Sequence, residues 1–186
     1  SIMDGRVKTL HPKVFGGILA DRKNPQHIYD LEHLHGLEID LVVVNFYPFI
    51  KEAVEKKLDF KDAIEFIDIG GPSMIRASAK NYHSVLPLCD KKYYFEFMDV
   101  HRNTNGDIPI SFRKKMATKV FSMTSQYESA IYNYFSSEND ELPISLNINL
   151  QKSSDLRYGE NPHQKGALYT TGFGMHGVAG SEQLHG

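Results

Sequence analysis

The chain has 186 residues, of which 41% are hydrophobic and 24% charged, and its formal net charge is −2. These values are typical of a globular protein with one sizeable core, or with one domain and a piece of another. The near-neutral charge gives no overall reason to expect nucleic acid or a membrane surface as a partner. The single cysteine, Cys89, excludes an internal disulfide and favours a reducing, cytoplasmic location.

The first half of the chain alternates helix-like and strand-like patterns. Two continuous apolar runs of strand length, Ile39 to Phe46 and Ser84 to Leu88, predict strands buried on both faces of a parallel sheet. Helices are predicted between and around them, over Leu10 to Ala20, Ile28 to His35 (a short helix or turn), Phe60 to Ile67, Pro72 to Asn81 and Lys91 to Val100. This alternation indicates an α/β layer architecture.

The second half begins with a loop, Asn103 to Pro109, and then changes character. Apolar residues recur every three or four positions and predict one long amphipathic helix, namely Phe112, Met116, Val120, Met123, Tyr127, Ile131 and Tyr134. A polar, acidic stretch over 136–143 predicts a linker, and Leu146 to Leu150 alternate as in a half-exposed strand. The tail over 172–186 is rich in glycine and shows little periodicity.

The turn before the fourth predicted helix has the residues expected at an anion site. Gly70, Gly71 and Pro72 predict a turn with the proline at the first helical position, which leaves backbone N–H groups free at the helix N-terminus. Asp68 precedes the turn, and Lys80 lies further along the helix. The alternatives are that Asp68 is an ordinary N-cap and Lys80 a cation that favours the helix dipole.

Two further segments carry candidate site residues. Arg6 and Lys8 would point to the same side of an extended segment beside Thr9, and could hold an anion or form a solvated basic turn. Asn45 and Tyr47 come at the end of a predicted strand, where open α/β sheets place ligands. Tyr47 could instead close the strand end as an aromatic plug, and Asn45 could satisfy a strand terminus.

Four segments resemble one known family, in that family's order. They are MDGRVKTLHPKVFGGILADR, IDLVVVNFYPF, IDIGGPSMIRASAKNY and LRYGENPHQ. Together they resemble the bifunctional AICAR transformylase/IMP cyclohydrolase enzymes of purine biosynthesis. The resemblance implies a three-layer, mostly parallel, methylglyoxal synthase-like cyclohydrolase domain over 1–135, a linker and connecting strand over 136–150, and the opening strands of a cytidine deaminase-like transformylase domain over 151–186.

The same resemblance assigns site residues. It implies a cyclohydrolase site whose catalytic residues are Lys8, Tyr47, Asp68 and Lys80. The residues that it implies contact substrate are Arg6, Thr9, Asn45, Ile69, Gly70 and Gly71, with Arg157 and Tyr158 in the transformylase part. The reaction would close the ring of formyl-AICAR to inosine monophosphate (IMP) with loss of water and without a cofactor.

The resemblance also carries expectations about the whole protein. The family uses 10-formyltetrahydrofolate as the co-substrate of the transformylase and forms a homodimer. We expect a strand–helix–strand block with the main phosphate loop to precede this sequence. We also expect the lysine–histidine motif of formyl transfer to follow residue 186, so this chain alone should show no transformylase activity and weak or no cyclohydrolase activity.

Other classes of function remain open or are disfavoured. The runner-up is a non-catalytic domain of the same fold that binds a phosphate ligand, which would not need the set Lys8, Tyr47, Asp68 and Lys80. Nine histidines are present, but His33 and His35 would face different ways on a helix, so no metal site is predicted.

Overall fold

A computed structural model of the chain describes residues 3, 6–46, 49–136, 145–170, 177–182 and 184. The chain divides into two compact units, Ser1–Tyr134 and Phe135–Gly186, which are described one at a time. The expectations for Tyr47, for nearly all of the linker over 136–143 and for much of the glycine-rich tail lie outside the described residues.

The first unit contains six helices and a pair of strands within its described residues. The helices are α1 (Pro12–Leu19), α2 (Pro25–His33), α3 (Phe60–Ile64), α4 (Gly70–Lys80), α5 (Tyr94–Asn103) and α6 (Ile110–Ser136), whose last two residues belong to the second unit. The strands are β1 (Leu41–Val43) and β2 (Leu86–Leu88), and short π and 3₁₀ turns occupy Ile50–Val54 and Lys91–Tyr93. None of the helices in the described ranges is both long and apolar enough to cross a membrane.

The two strands run parallel, with α3 and α4 in the connection between them. Leu41 pairs with Leu86 and Val43 with Leu88, and the Val44 N–H extends the ladder by donating to the Leu88 carbonyl at 3.0 Å. A parallel pair needs a crossover of this kind, which explains why helices separate the two strands in the sequence. The predicted α/β fold with a parallel sheet is confirmed.

Two apolar clusters lie against the parallel pair. One cluster joins the strands to α1, α4 and the middle of α6, through residues such as Ile18, Val42, Ile75 and Val120. The other contains Leu86 and Leu88 and is covered by α5 and the first turns of α6. Helices therefore pack on β2 from both sides.

The prediction that Ile39 to Phe46 forms a strand buried on both faces was wrong for one face. Val42 and Val44 are buried, but Leu41 and Val43 are 39% and 47% exposed. Paired residues of parallel strands point to the same side, so Leu41 and Val43 lie on the face where Leu86 and Leu88 are covered. The elements that cover this face within the described residues pack on β2 and leave β1 open.

Helix α4 begins earlier than the sequence predicted. It starts at Gly70, so Pro72 is its third residue and not its first. The proline fits there because the first four N–H groups of a helix have no partner within the helix. At the other end, the Asn81 side chain donates to the carbonyls of Ile18 and Ala20 at 2.8 and 3.0 Å, which ties α4 to the end of α1.

The second unit contains an antiparallel hairpin of β3 (Gln151–Leu156) and β4 (Gly166–Thr170), with an irregularity in register between Lys152 and Ser154. The strand predicted over Leu146 to Leu150 was wrong, because that segment has no strand pairing and the strand follows it. The turn of the hairpin is closed by the Gly159 N–H, which donates to the Gln164 carbonyl at 2.7 Å. Arg157 and Tyr158, at the start of this turn, are exposed.

Candidate functional site

A cavity of about 760 Å³ lies between the segment before α1 and the N-terminus of α4. Lys8, Thr9, Asp68, Gly70 and Gly71 line it. The predicted residues Arg6 and Ile69 also line it. The structure thus brings together, in one concave site, side chains that are about sixty positions apart in the sequence.

The residues around the cavity pack very closely against the carboxyl end of β1. The space that a Cβ atom on Gly71 would occupy lies 3.0 Å from a methyl carbon of Val44 and 2.5 Å from Asp68 Oδ2. A Cβ atom on Gly70 would lie 2.5 Å from the Thr9 hydroxyl oxygen. A side chain at either position would therefore force Thr9 or Asp68 to move, and this close approach accounts for the glycine pair that the sequence displays.

Asp68 is fixed at the mouth of α4 through both its side chain and its backbone. Its Oδ1 accepts a hydrogen bond from the Gly71 N–H at 2.9 Å, so the carboxylate caps the helix from one residue outside the ordinary N-cap position, Ile69. The Asp68 N–H donates to the phenol oxygen of Tyr127 at 2.7 Å. The capping role foreseen as the alternative is present, and it holds the carboxylate at the cavity.

The charges of the cavity partly compensate each other. Arg6 forms an ion pair with Glu65, and both side chains line the cavity and are largely exposed. Lys8 is a second cation and Asp68 a second carboxylate, and the Asp68 carboxylate already accepts from the Gly71 N–H at the N-terminus of α4. The set is suited to an anionic ligand that can compete with Glu65 for Arg6.

Two of the candidate residues lie elsewhere in the described structure. Lys80 is the last residue of α4 and is exposed, while Gly70 is the first. The 11 residues of the helix separate their backbones by roughly 15 Å. Asn45 lines a second cavity, of about 540 Å³, and its amide donates to the Tyr94 phenol oxygen at 3.2 Å.

The second cavity also lies at the carboxyl end of the parallel strands. Besides Asn45, it is lined by Cys89, Asp90 and Tyr127. Burial, and to a lesser degree Asp90, raises the pKa of the Cys89 thiol. Burial also acts to raise the pKa of Asp90, but hydrogen bonds from Lys92 outweigh it and lower that pKa overall. The thiol therefore stays protonated near neutral pH, and Asp90 stays charged.

Two residues of the site were missed by the sequence analysis. Glu65 carried no signal, because it sits in an ordinary amphipathic helix pattern. Tyr127 was assigned only to the apolar face of α6, although a phenol at a core position normally has a hydrogen-bond partner. Among the described residues, no group of three or more His, Cys, Asp or Glu side chains is placed to hold a metal ion.

Fold and cavity together define an α/β domain with a concave site, lined by two cations and two carboxylates, at the carboxyl edge of parallel strands. Comparison with known proteins identifies the family. The family model described as AICARFT/IMPCHase bienzyme matches residues 78–186. The chain therefore belongs to the AICARFT/IMPCHase bienzyme family.

Individual relatives agree with this assignment. The bifunctional purine biosynthesis proteins PurH of Thermoanaerobacter sp. and Clostridium acetobutylicum are 48% and 46% identical to this chain over its whole length. The chain spans only 36% of the length of each of these relatives. The crystal structure of ForH superposes with a TM-score of 0.65 at 29% identity, covering 76% of this chain and 72% of ForH.

Proposed function

We propose that this chain carries the cyclohydrolase site of a bifunctional purine biosynthesis enzyme, and that this site closes the ring of formyl-AICAR to IMP. The observation that supports this most strongly is the cavity that joins Lys8 and Thr9 to Asp68 and the glycine pair of α4. Its volume of about 760 Å³ lies within the range of about 300–1,000 Å³ that is usual for small-molecule sites.

The reaction makes modest demands on the protein, because both reacting groups belong to one molecule. The carboxamide nitrogen attacks the formyl carbon and forms a C–N bond, while the formyl oxygen becomes a hydroxyl group. That hydroxyl group then leaves as water: the carboxamide nitrogen loses one of its two protons, the formamido nitrogen loses its proton, and a C=N bond forms between the formamido nitrogen and the former formyl carbon. The site has to accept a proton from nitrogen, stabilise the developing oxyanion and donate a proton to the leaving hydroxyl group.

We assign these tasks to the candidate site residues named above. Asp68 or Tyr47 takes or relays the nitrogen proton, and Lys8 and Lys80 stabilise the oxyanion and protonate the leaving hydroxyl group. Arg6, Thr9 and Asn45 contact the substrate, together with the backbone of Ile69, Gly70 and Gly71. The geometry of the cavity supports Lys8 and Asp68 directly, whereas Tyr47 and Lys80 rest on the family resemblance.

The whole protein extends the proposal to a second activity. We propose that it transfers a formyl group from 10-formyltetrahydrofolate to AICAR, with Arg157 and Tyr158 of this chain contacting AICAR. The first part, 1–135, would be a methylglyoxal synthase-like domain, and 151–186 would open a cytidine deaminase-like domain after the connection over 136–150. We further propose that the protein is a cytoplasmic homodimer.

One observation favours a second candidate, a non-catalytic domain that binds a phosphate ligand. Lys80 lies a helix length from Gly70, so of the described catalytic candidates only Lys8 and Asp68 line the cavity. Lys8, and Arg6 if it is released from Glu65, would hold a phosphorylated ligand without any chemistry.

The test uses a protein of the relatives' full length that carries this sequence, called the full-length protein below. Formation of IMP from formyl-AICAR is followed by absorbance, and binding of IMP by calorimetry. Turnover that is lost in Lys8→Ala but kept in Lys13→Ala, an exposed lysine of α1 outside the cavity, supports the enzyme. Binding of IMP without turnover would favour the binding domain, and neither binding nor turnover would overturn both.

A further inference from the structure

Tyr127 lies where helix α6 meets the segment between α3 and α4. Its side chain is buried with Phe49, Ala53 and Ala63, and its ring lies 5.3 Å from that of Phe46. The phenol oxygen accepts the hydrogen bond from the Asp68 N–H at 2.7 Å. This bond joins residues 59 positions apart and is the point at which the long helix contacts Asp68.

The bond holds Asp68 by its backbone N–H, while the carboxylate is held by the Gly71 N–H. Tyr127 does not line the cavity that contains Asp68 and Lys8. Its ring instead lines the second cavity, beside Asn45 and Cys89. Tyr127 is connected to the first cavity through its hydrogen bond with the Asp68 N–H and through the apolar cluster that it shares with Phe66 and Ile67, which also line that cavity.

Two hydrogen bonds hold Asp68, one in which its backbone N–H donates and one in which its carboxylate accepts. The phenol oxygen holds the backbone N–H, and the Gly71 N–H holds the carboxylate at 2.9 Å. With only the second bond, the backbone before Gly70 could rotate and move the carboxylate relative to Lys8. Burial raises the pKa of Tyr127, so the phenol remains a neutral acceptor near neutral pH and does not itself exchange protons.

We infer that Tyr127 is a positioning residue for ring closure, which acts by holding the Asp68 carboxylate in register with Lys8 at the mouth of α4. The inference rests on the proposed function, because it gives Asp68 a task in the reaction. It also makes a structural claim about Asp68 that holds whether or not the reaction occurs.

The test substitutes Tyr127→Phe in the full-length protein and compares it with Tyr134→Phe. Tyr134 lies on the same helix, packs against the same apolar cluster and donates from its phenol to the Leu58 carbonyl at 3.3 Å, and it lines neither cavity. Phenylalanine keeps the ring in each case, so both variants should fold. We expect Tyr127→Phe to lower kcat for ring closure by roughly 10–100-fold, as a misplaced catalytic group does, with KM nearly unchanged. Tyr134→Phe should retain kcat.

Two further readouts separate positioning from simple loss of stability. The backbone amide signals of Asp68 and Gly71 in NMR spectra should shift in Tyr127→Phe and stay in place in Tyr134→Phe. In a double-mutant cycle, Tyr127→Phe should add no further loss of kcat to Asp68→Asn, because it acts through that carboxylate. Unchanged amide signals, equal kcat in the two tyrosine variants, or additive losses would each overturn the inference. If the parent protein shows no ring closure, the proposed function fails and the amide signals still decide whether Tyr127 positions Asp68.

Discussion

The ion pair between Arg6 and Glu65 affects how strongly the cavity can bind an anionic ligand. The carboxylate of Glu65 pairs with the guanidinium that would hold an anionic ligand, and both side chains are more than half exposed. Water screens such a pair, so its contribution is small, about 0.2–1 kcal/mol. A ligand that displaces Glu65 therefore loses little affinity in doing so.

Replacing Glu65 by glutamine should tighten the binding of an anion to this site. Because the competing charge is removed, we expect the affinity for IMP to rise by up to about fivefold, the equivalent of the free energy of an exposed pair. Calorimetric titration measures this change. Glu38→Gln, which removes a pair with Arg22 outside the cavity, is the matched control and should leave the affinity unaltered. Equal effects of the two substitutions would mean that Glu65 acts only through net charge.

The buried thiol of Cys89 makes the stability of the fold depend on pH in the alkaline range. Burial is the main cause that raises the pKa of its thiol above the ordinary value of 9.0. A raised pKa in the folded state stabilises the fold at pH values below 9, and this contribution is lost as the pH rises through the folded-state pKa. We expect the free energy of unfolding to fall between about pH 8 and pH 10, and to fall less steeply in Cys89→Ala. Denaturant titrations at a series of pH values measure both slopes, and identical slopes would contradict the assignment.

At the scale of elements, the start of α4 depends on the closeness of three segments. Gly71 brings the helix against Val44 and leaves room for the Asp68 carboxylate, since a Cβ atom at this position would lie only 3.0 and 2.5 Å from those two side chains. The absence of a side chain at Gly71 therefore lets the helix, Val44 and the Asp68 carboxylate come together, while the Gly71 N–H holds that carboxylate.

The substitution Gly71→Ala should disrupt this arrangement. Either the carboxylate or the helix must move, so we expect a loss of stability of about 1–3 kcal/mol and a loss of IMP binding. Thermal unfolding and calorimetry measure the two effects. Gly16→Ala in α1 is the control, since its new methyl group would meet only leucine side chains, the nearest at 3.3 Å, and it should be tolerated. Normal binding by Gly71→Ala would show that the close approach is dispensable.

The helices and the parallel strands were predictable because their patterns are local. The stripe from Phe112 to Tyr134 indicated the long helix α6, and the apolar runs near Val42 and Leu86 indicated the strands. The predictions that failed concern features that depend on how other elements pack. The exposure of Leu41 and Val43 follows from where α5 and α6 pack, which the run of apolar residues does not encode.

The hairpin of the second unit and the candidate site were likewise only partly predictable from local sequence patterns. Strand β3 has the polar sequence QKSSDL, and its pairing with β4 decides its place, so the alternation of Leu146, Ile148 and Leu150 indicated the wrong segment. The meeting of Lys8 with Asp68 was expected from motif resemblance. The partners Glu65 and Tyr127 became visible only when tertiary structure placed them beside Arg6 and Asp68.

At the scale of the whole molecule, the chain contains two compact units and belongs to a family of two-activity enzymes. The residues proposed for ring closure all lie in the unit Ser1–Tyr134, whereas Arg157 and Tyr158, proposed for the formyl-transfer site, lie in Phe135–Gly186. If the two activities use separate sites, a change at Asp68 should affect one activity and spare the other.

The most direct test of this account is the turnover of both reactions by the Asp68→Asn full-length protein. Asparagine can still accept the hydrogen bond from the Gly71 N–H and cap α4, but it cannot exchange a proton near neutral pH. Asp59→Asn makes the same change at the N-cap of α3, where the side chain accepts from the Asp62 N–H at 2.8 Å, and serves as the control. We predict that Asp68→Asn lowers ring-closure turnover by roughly 10²–10⁴-fold while formyl transfer and the melting temperature stay unchanged. Full ring-closure turnover in Asp68→Asn would contradict the account and leave Asp68 as a helix cap alone.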